Sequence, residues 1–151
     1  MSVAIHICIT IAAPPATVWR AVERIETHTE WMLDADTITF RSEQHSGAGA
    51  AFDCRTRVGP LRTTDHFVVT RWEPGAAMGI EHRGGVTGVG EFRLRPLAGG
   101  DATDFCWEER LTFPWWLGSL AGEQFGRPVL KRIWEGNLGR LKAGVERGPV
   151  A

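Results

Sequence analysis

The sequence contains no tyrosine and only 3 cysteines among 151 residues. Its aromatic surface therefore comes from 7 tryptophans and 7 phenylalanines, set beside 18 glycines, a combination that either packs a core or leaves a cavity. Cys8, Cys54 and Cys106 are odd in number and form no CxxC pair, which argues against a disulfide framework and against a zinc knuckle. They read as small buried or half-buried residues. No basic tract is present and the formal net charge is -1, so neither nucleic acid nor an anionic membrane is an expected partner. No run approaches the roughly 18 apolar residues of a membrane span, and the first residues lack the basic and apolar regions of a signal peptide. The expected location is the cytoplasm. Without repeats, linkers or low-complexity tracts, residues 1–151 are expected to form one domain.

What is present is periodic. Val3, Ile5, Ile7, Ile9 and Ile11 alternate with smaller or polar residues, the period-two signature of a strand with one apolar face. Pro14-Pro15 stops it. Val18, Trp19, Ala21, Val22 and Ile25 then mark a short helix, and a second helical turn follows over residues 27–34, before a strand over residues 36–41. Five further strands are expected, separated by Gly59-Pro60, Glu73-Pro74-Gly75, Gly84-Gly85 and a loop over residues 96–101. Consecutive Phe67, Val68 and Val69 blur the alternation in one of them, which a bulge near Arg71 would resolve. From Pro128 onward, Val129, Leu130, Ile133, Trp134, Leu138, Leu141 and Val145 recur at helical spacing. The order predicts an α+β fold: a curved antiparallel sheet of about seven strands around one long C-terminal helix, with two short helices after strand one.

Several stretches, in order, resemble one known group. They are ITIAAPPATVWRAV (residues 9–22), HTEW (28–31), GAGAAF (47–52), RWEPGAAMGIE (71–81), VTGVGEFRLRPL (86–97) and TDFCWEERL (103–111). Together they are similar to the START-related SRPBCC superfamily, in its polyketide cyclase/dehydrase and lipid-transport branch, with the helix-grip fold of the birch pollen allergen. The resemblance covers nearly the whole chain. It implies a deep apolar cavity between sheet and helix that holds lipids, sterols, polyketides or related molecules, and it implies no single reaction.

Aligning strands five to seven as a simple meander places Met78, Phe92 and Phe105 in one row, Ile80, Gly90 and Trp107 in the next, and His82, Gly88 and Glu109 in a third. His82 and Glu109 would then face each other over Gly88 across about 10 Å. An inward Glu in apolar surroundings should have a raised pKa, and a nearby His suits proton transfer near neutral pH. The competing structural reading pairs Glu109 with an arginine and leaves His82 as a satisfied residue at the sheet rim. His6, His28, His45 and His66 show no metal-ligand spacing, so neither a metal nor a cofactor is expected. Gly84 to Gly90 lacks the lysine of a phosphate loop, no histidine can be placed beside Cys54 or Cys106 to activate a thiol, and Asp34 and Asp36 read as exposed loop residues.

The expected ligand is a small hydrophobic molecule resting on Phe52, Ile80, Phe92, Trp107, Leu130, Ile133 and Trp134, with His82 and Glu109 as polar contacts. One alternative is a cofactor-free cyclase, aromatase or dehydratase in which Glu109 and His82 act as acid and base. Another is a structural or regulatory dimer whose cavity is filled by its own tryptophans. Trp115 to Gly126, aromatic and glycine-containing, reads as a lid, a homodimer contact or plain core.

Overall fold

A computed structural model describes residues 2–114 and 126–148. Strand β1 (Ser2–Ile11) is followed by helix α1 (Pro15–Val22), a 3-10 turn (Ile25–Glu30) and β2 (Ala35–Phe40). Then come β3 (Ala51–Val58), β4 (Leu61–Glu73), β5 (Ala77–Arg83), β6 (Thr87–Leu97) and β7 (Ala102–Thr112), and helix α2 (Gly126–Glu146) ends the described chain. The seven strands form one antiparallel sheet in the order β1-β7-β6-β5-β4-β3-β2. Direct connections between successive strands make β2 to β7 a meander, while β1 closes against β7 because α1 and the 3-10 turn carry the chain from one sheet edge to the other.

Alternation sorts the side chains as the sequence implies. Val3, Ile5, Ile7 and Ile11 of β1 are buried on the inner face, and Thr103, Phe105, Trp107, Glu109 and Leu111 of β7 lie beside them. The register of β4 against β5 shifts between Val69 and Arg71, which is the expected bulge: it absorbs one residue, so that Trp72, three residues after the inward Val69, also packs against the core. On α2, Trp134, Leu138 and Leu141 are buried and Leu130, Ile133 and Val145 partly so. Val129, expected on that face, is 49% exposed, although it lines the cavity described below.

Helix α2 also protects an edge. The Arg127 side chain donates to the Ala4 carbonyl at 2.9 Å, Lys142 to the Thr10 carbonyl at 2.7 Å, and Glu146 accepts from the Ala12 N–H at 2.9 Å. These contacts occupy ladder groups that β1, at the sheet edge, would otherwise leave to water or to another strand.

Two expectations are corrected here, and a residue the sequence patterns do not single out is added. Cys8 and Cys106 are joined by a disulfide, because β1 and β7 place them directly opposite each other; their separation of 98 residues concealed this. Asp34 is not a free loop acid: it is half-buried and accepts from Trp134 Nε1 at 3.1 Å and Asn137 Nδ2 at 2.7 Å. Asn137, which the helical apolar pattern passes over, is fully buried.

Candidate functional site

Between the concave face of the sheet and α2 lies a cavity of about 600 Å³, within the range that encloses a drug-sized molecule. Of the residues singled out in the sequence, Phe52, Ile80, His82, Phe92, Trp107, Glu109, Leu130 and Trp134 line it. Ile133 does not; it is partly buried against the neighbouring core. The aromatic walls are fixed by one another. Trp107 stacks on Trp134 at 4.7 Å between centroids, Phe52 stacks on Phe67 at 5.0 Å, and Phe92 meets Trp107 edge-on at 5.3 Å. Among the described residues, Trp107 and Trp134 line the cavity and do not fill it.

The meander register differs from the simple alignment by one step of two residues. Met78 pairs with Phe92, Ile80 with Gly90 and His82 with Gly88 as expected. On the other side of β6, however, Phe92 pairs with Trp107, Gly90 with Glu109 and Gly88 with Leu111. The rows are thus Met78–Phe92–Trp107, Ile80–Gly90–Glu109 and His82–Gly88–Leu111. The shift arises in the β6–β7 connection, where the 3-10 turn Ala98–Gly100 sets the pairing of Leu97 with Ala102.

This shift brings His82 and Glu109 into direct contact instead of across a wide gap. His82 and Glu109 sit diagonally, with Gly90 between them, and His82 Nε2 lies 2.8 Å from Glu109 Oε2. Trp107 Nε1 donates to the other oxygen, Oε1, at 3.0 Å. Both residues are buried, His82 at 9% and Glu109 at 5% exposed, and Phe67 stands edge-on to the imidazole at 4.5 Å. Against an ionised Glu109, which can only accept, Nε2 is the donor in this contact. The other ring nitrogen, Nδ1, is buried and has no hydrogen-bond partner among the described residues. No arginine takes the carboxylate, which sets aside the structural pairing considered for Glu109.

A second polar position was not anticipated. Thr56 and Asp65, which also line the cavity, share a 2.6 Å hydrogen bond from the Thr56 hydroxyl. Alternation from Phe52 through Cys54 puts Thr56 on the inner face, while the consecutive apolar residues Phe67, Val68 and Val69 blur which face Asp65 takes. His28 also lines the cavity, with Nε2 donating to the Val22 carbonyl at 2.7 Å. Burial pushes its pKa down to about 4, the hydrogen bond to Val22 opposing the shift, so near neutral pH it is an uncharged wall rather than an acid. Cys54 is buried and its thiol is pushed up to about 11 by burial, which removes it as a nucleophile. Elsewhere, His45 stacks on Phe40 and His66 pairs with Asp53 at 2.6 Å. The lid reading of Trp115 to Gly126 falls outside the described residues, except for Gly126 at the start of α2. No helix among the described residues is long and apolar enough to cross a membrane.

Comparison with solved structures finds the same fold repeatedly. A Thermus thermophilus protein aligns with TM-score 0.79 at 14% identity, over 98% of this chain and all of the other. The Zhui aromatase/cyclase of a Streptomyces species aligns with TM-score 0.77 at 17% identity, over 99% of this chain and all of its own. Ara h 8.0201 aligns with TM-score 0.73 at 11% identity, over 98% and 100%. At these identities the likeness speaks to fold alone. No curated protein matches the sequence. The family profile described as polyketide cyclase / dehydrase and lipid transport matches residues 2–146.

Proposed function

Because the chain belongs to the polyketide cyclase/dehydrase and lipid transport family, we propose that it binds a small hydrophobic molecule, lipid-, polyketide- or isoprenoid-like, between the sheet and α2. The observation that carries this reading is the cavity: about 600 Å³ of space walled by aromatic and aliphatic side chains, with the His82–Glu109–Trp107 cluster as a single buried polar feature on its β5–β7 wall. Apolar walls supply affinity through area removed from water, and a few fixed polar groups supply orientation. Native mass spectrometry of the purified protein, followed by solvent extraction, should release an apolar molecule in about one equivalent. Failure of any apolar probe to bind, together with an empty native spectrum, refutes the reading.

A second reading is favoured by one specific contact. With Glu109 holding the Nε2 side of His82, the imidazole is oriented, and its Nδ1 can take or give a proton. This division of labour differs from a matched acid and base: Glu109 positions, His82 transfers. It suits cofactor-free proton abstraction or dehydration on an enolisable polyketide, the chemical class handled by a cyclase or aromatase. Under this reading Glu109→Gln retains probe affinity and lowers kcat by roughly 10²–10⁴, whereas equal loss of affinity and turnover supports binding alone.

A further inference from the structure

The outer face of the β1–β7 ladder carries a second cluster, remote from the cavity wall. Cys8 faces Cys106 and His6 faces Glu108 in adjacent rows, with Asp104 opposite Thr10 in the row beyond. These side chains alternate with the buried ones and so project away from the core. The donor atoms of His6, Cys8 and Cys106 all lie within 4.8 Å of one another. His6 Nε2 is 3.4 Å from Cys8 Sγ and 3.7 Å from Glu108 Oε1, and Asp104 Oδ2 is 3.6 Å from Cys106 Sγ.

We propose that the reduced form of this protein binds one zinc-class divalent cation through His6, Cys8, Cys106 and Glu108, and that the Cys8–Cys106 disulfide is the form that cannot. Around a tetrahedral zinc with one nitrogen, one oxygen and two sulfur ligands, neighbouring donors stand roughly 3.3–3.8 Å apart. The His6–Cys8 and His6–Glu108 separations already match that spacing. The sulfurs do not, because they are bonded to each other. A dithiol reductant supplies two electrons and two protons, breaks the S–S bond into two thiols and itself becomes a disulfide. Each thiol then loses its proton to solvent as its sulfur bonds the cation, so binding releases two protons. Two thiolates, an imidazole and a carboxylate form a mixed set that suits zinc, and Asp104 adds negative charge at the periphery.

Strand geometry makes the set possible. Two residues apart on one strand, and directly opposite on the next, four side chains emerge from one patch of a pleated surface. The side chains of His6 and Glu108 are 58% and 46% exposed, so a cation and a reductant both have access. On one side the patch borders a groove that Lys131 and Glu135 of α2 also line.

The test uses cobalt(II) as a spectroscopic probe on protein reduced with a dithiol and freed of it under anaerobic conditions. One equivalent should bind, with the visible absorption of a tetrahedral ion and a sulfur-to-metal charge-transfer band, and zinc(II) should displace it. The oxidised protein should bind at least 100-fold more weakly. His6→Ala and Glu108→Gln should each weaken binding by 10-fold or more while leaving the far-ultraviolet circular dichroism unchanged. Cys54→Ser should bind like the reduced parent. The proposal is overturned if reduced protein takes up no cobalt, if His6→Ala binds as the parent does, or if Cys54→Ser abolishes binding.

Discussion

The Glu109 carboxylate occupies the space that a side chain at Gly90 would fill: a Cβ built on Gly90 would stand 2.5 Å from Glu109 Oε1. The two residues pair directly across β6 and β7. The missing side chain lets the carboxylate lean over β6 and reach His82 on β5.

Replacing this glycine tests the arrangement. Gly90→Ala meets the end of a flexible side chain, so the fold should persist at a cost of about 1–3 kcal/mol as the His82 hydrogen bond is lost, and probe affinity should fall. Gly88→Ala, two residues earlier, should be worse by more than about 2 kcal/mol. There a Cβ would meet the Arg110 carbonyl oxygen at 1.9 Å, and the backbone sits at a φ of +143°, so both main chain and strand pairing must move. Urea midpoints of the two variants rank them; the reverse order would contradict the geometry.

Stability should fall between pH 6.5 and about 4 because of His28. Its pKa is depressed from 6.5 to about 4 by burial. In this window the unfolded chain binds a proton that the folded chain does not, so stability is fully present above 6.5 and is lost as pH falls, by about 3 kcal/mol at most. His28→Phe should flatten this part of the profile in urea unfolding. The carboxyls of Asp53, held low chiefly by the His66 hydrogen bond, and Glu146, held low chiefly by the Ala12 N–H, lose their contributions at lower pH, in the carboxylate range.

Asn137→Leu should destabilise the protein by about 2–4 kcal/mol, despite adding apolar surface to a helix. The amide is fully buried, donates to Asp34 Oδ1, and accepts from the Leu33 N–H at 3.1 Å and from Arg140 Nη2 at 2.5 Å. Leucine leaves those groups unpaired where α2 meets the segment before β2. A change within about 0.5 kcal/mol in chemical unfolding would show that water satisfies them.

Reducing the Cys8–Cys106 disulfide should lower stability by about 2–4 kcal/mol, since the bond closes a loop across 98 residues in the unfolded chain. Calorimetry with and without a dithiol measures this. Added zinc(II) should restore part of the loss in the reduced protein and none in His6→Ala.

Much of this architecture was legible from periodicity. The alternation in residues 3–11 and 103–111 and the helical recurrence after Pro128 report local backbone geometry directly, and the strand faces followed from such patterns except in β4, where the alternation is blurred. The bulge near Arg71 was suggested by the blurred alternation of β4, although it lies beyond Phe67, Val68 and Val69, which themselves alternate regularly. Eight of the nine residues expected to contact a ligand line the cavity, since facing inward on a strand or helix is a local property. Periodicity could not decide how strands register across β6 and β7, because sliding by two residues keeps every side chain on its face. That slide turned a separated His82 and Glu109 into a hydrogen-bonded pair over Gly90. It likewise took the folded sheet to set Cys8 beside Cys106 and His6 beside Glu108, and to fill α2's one fully buried polar position with Asn137. Faces are written along the chain; neighbours across strands are decided only when the sheet closes.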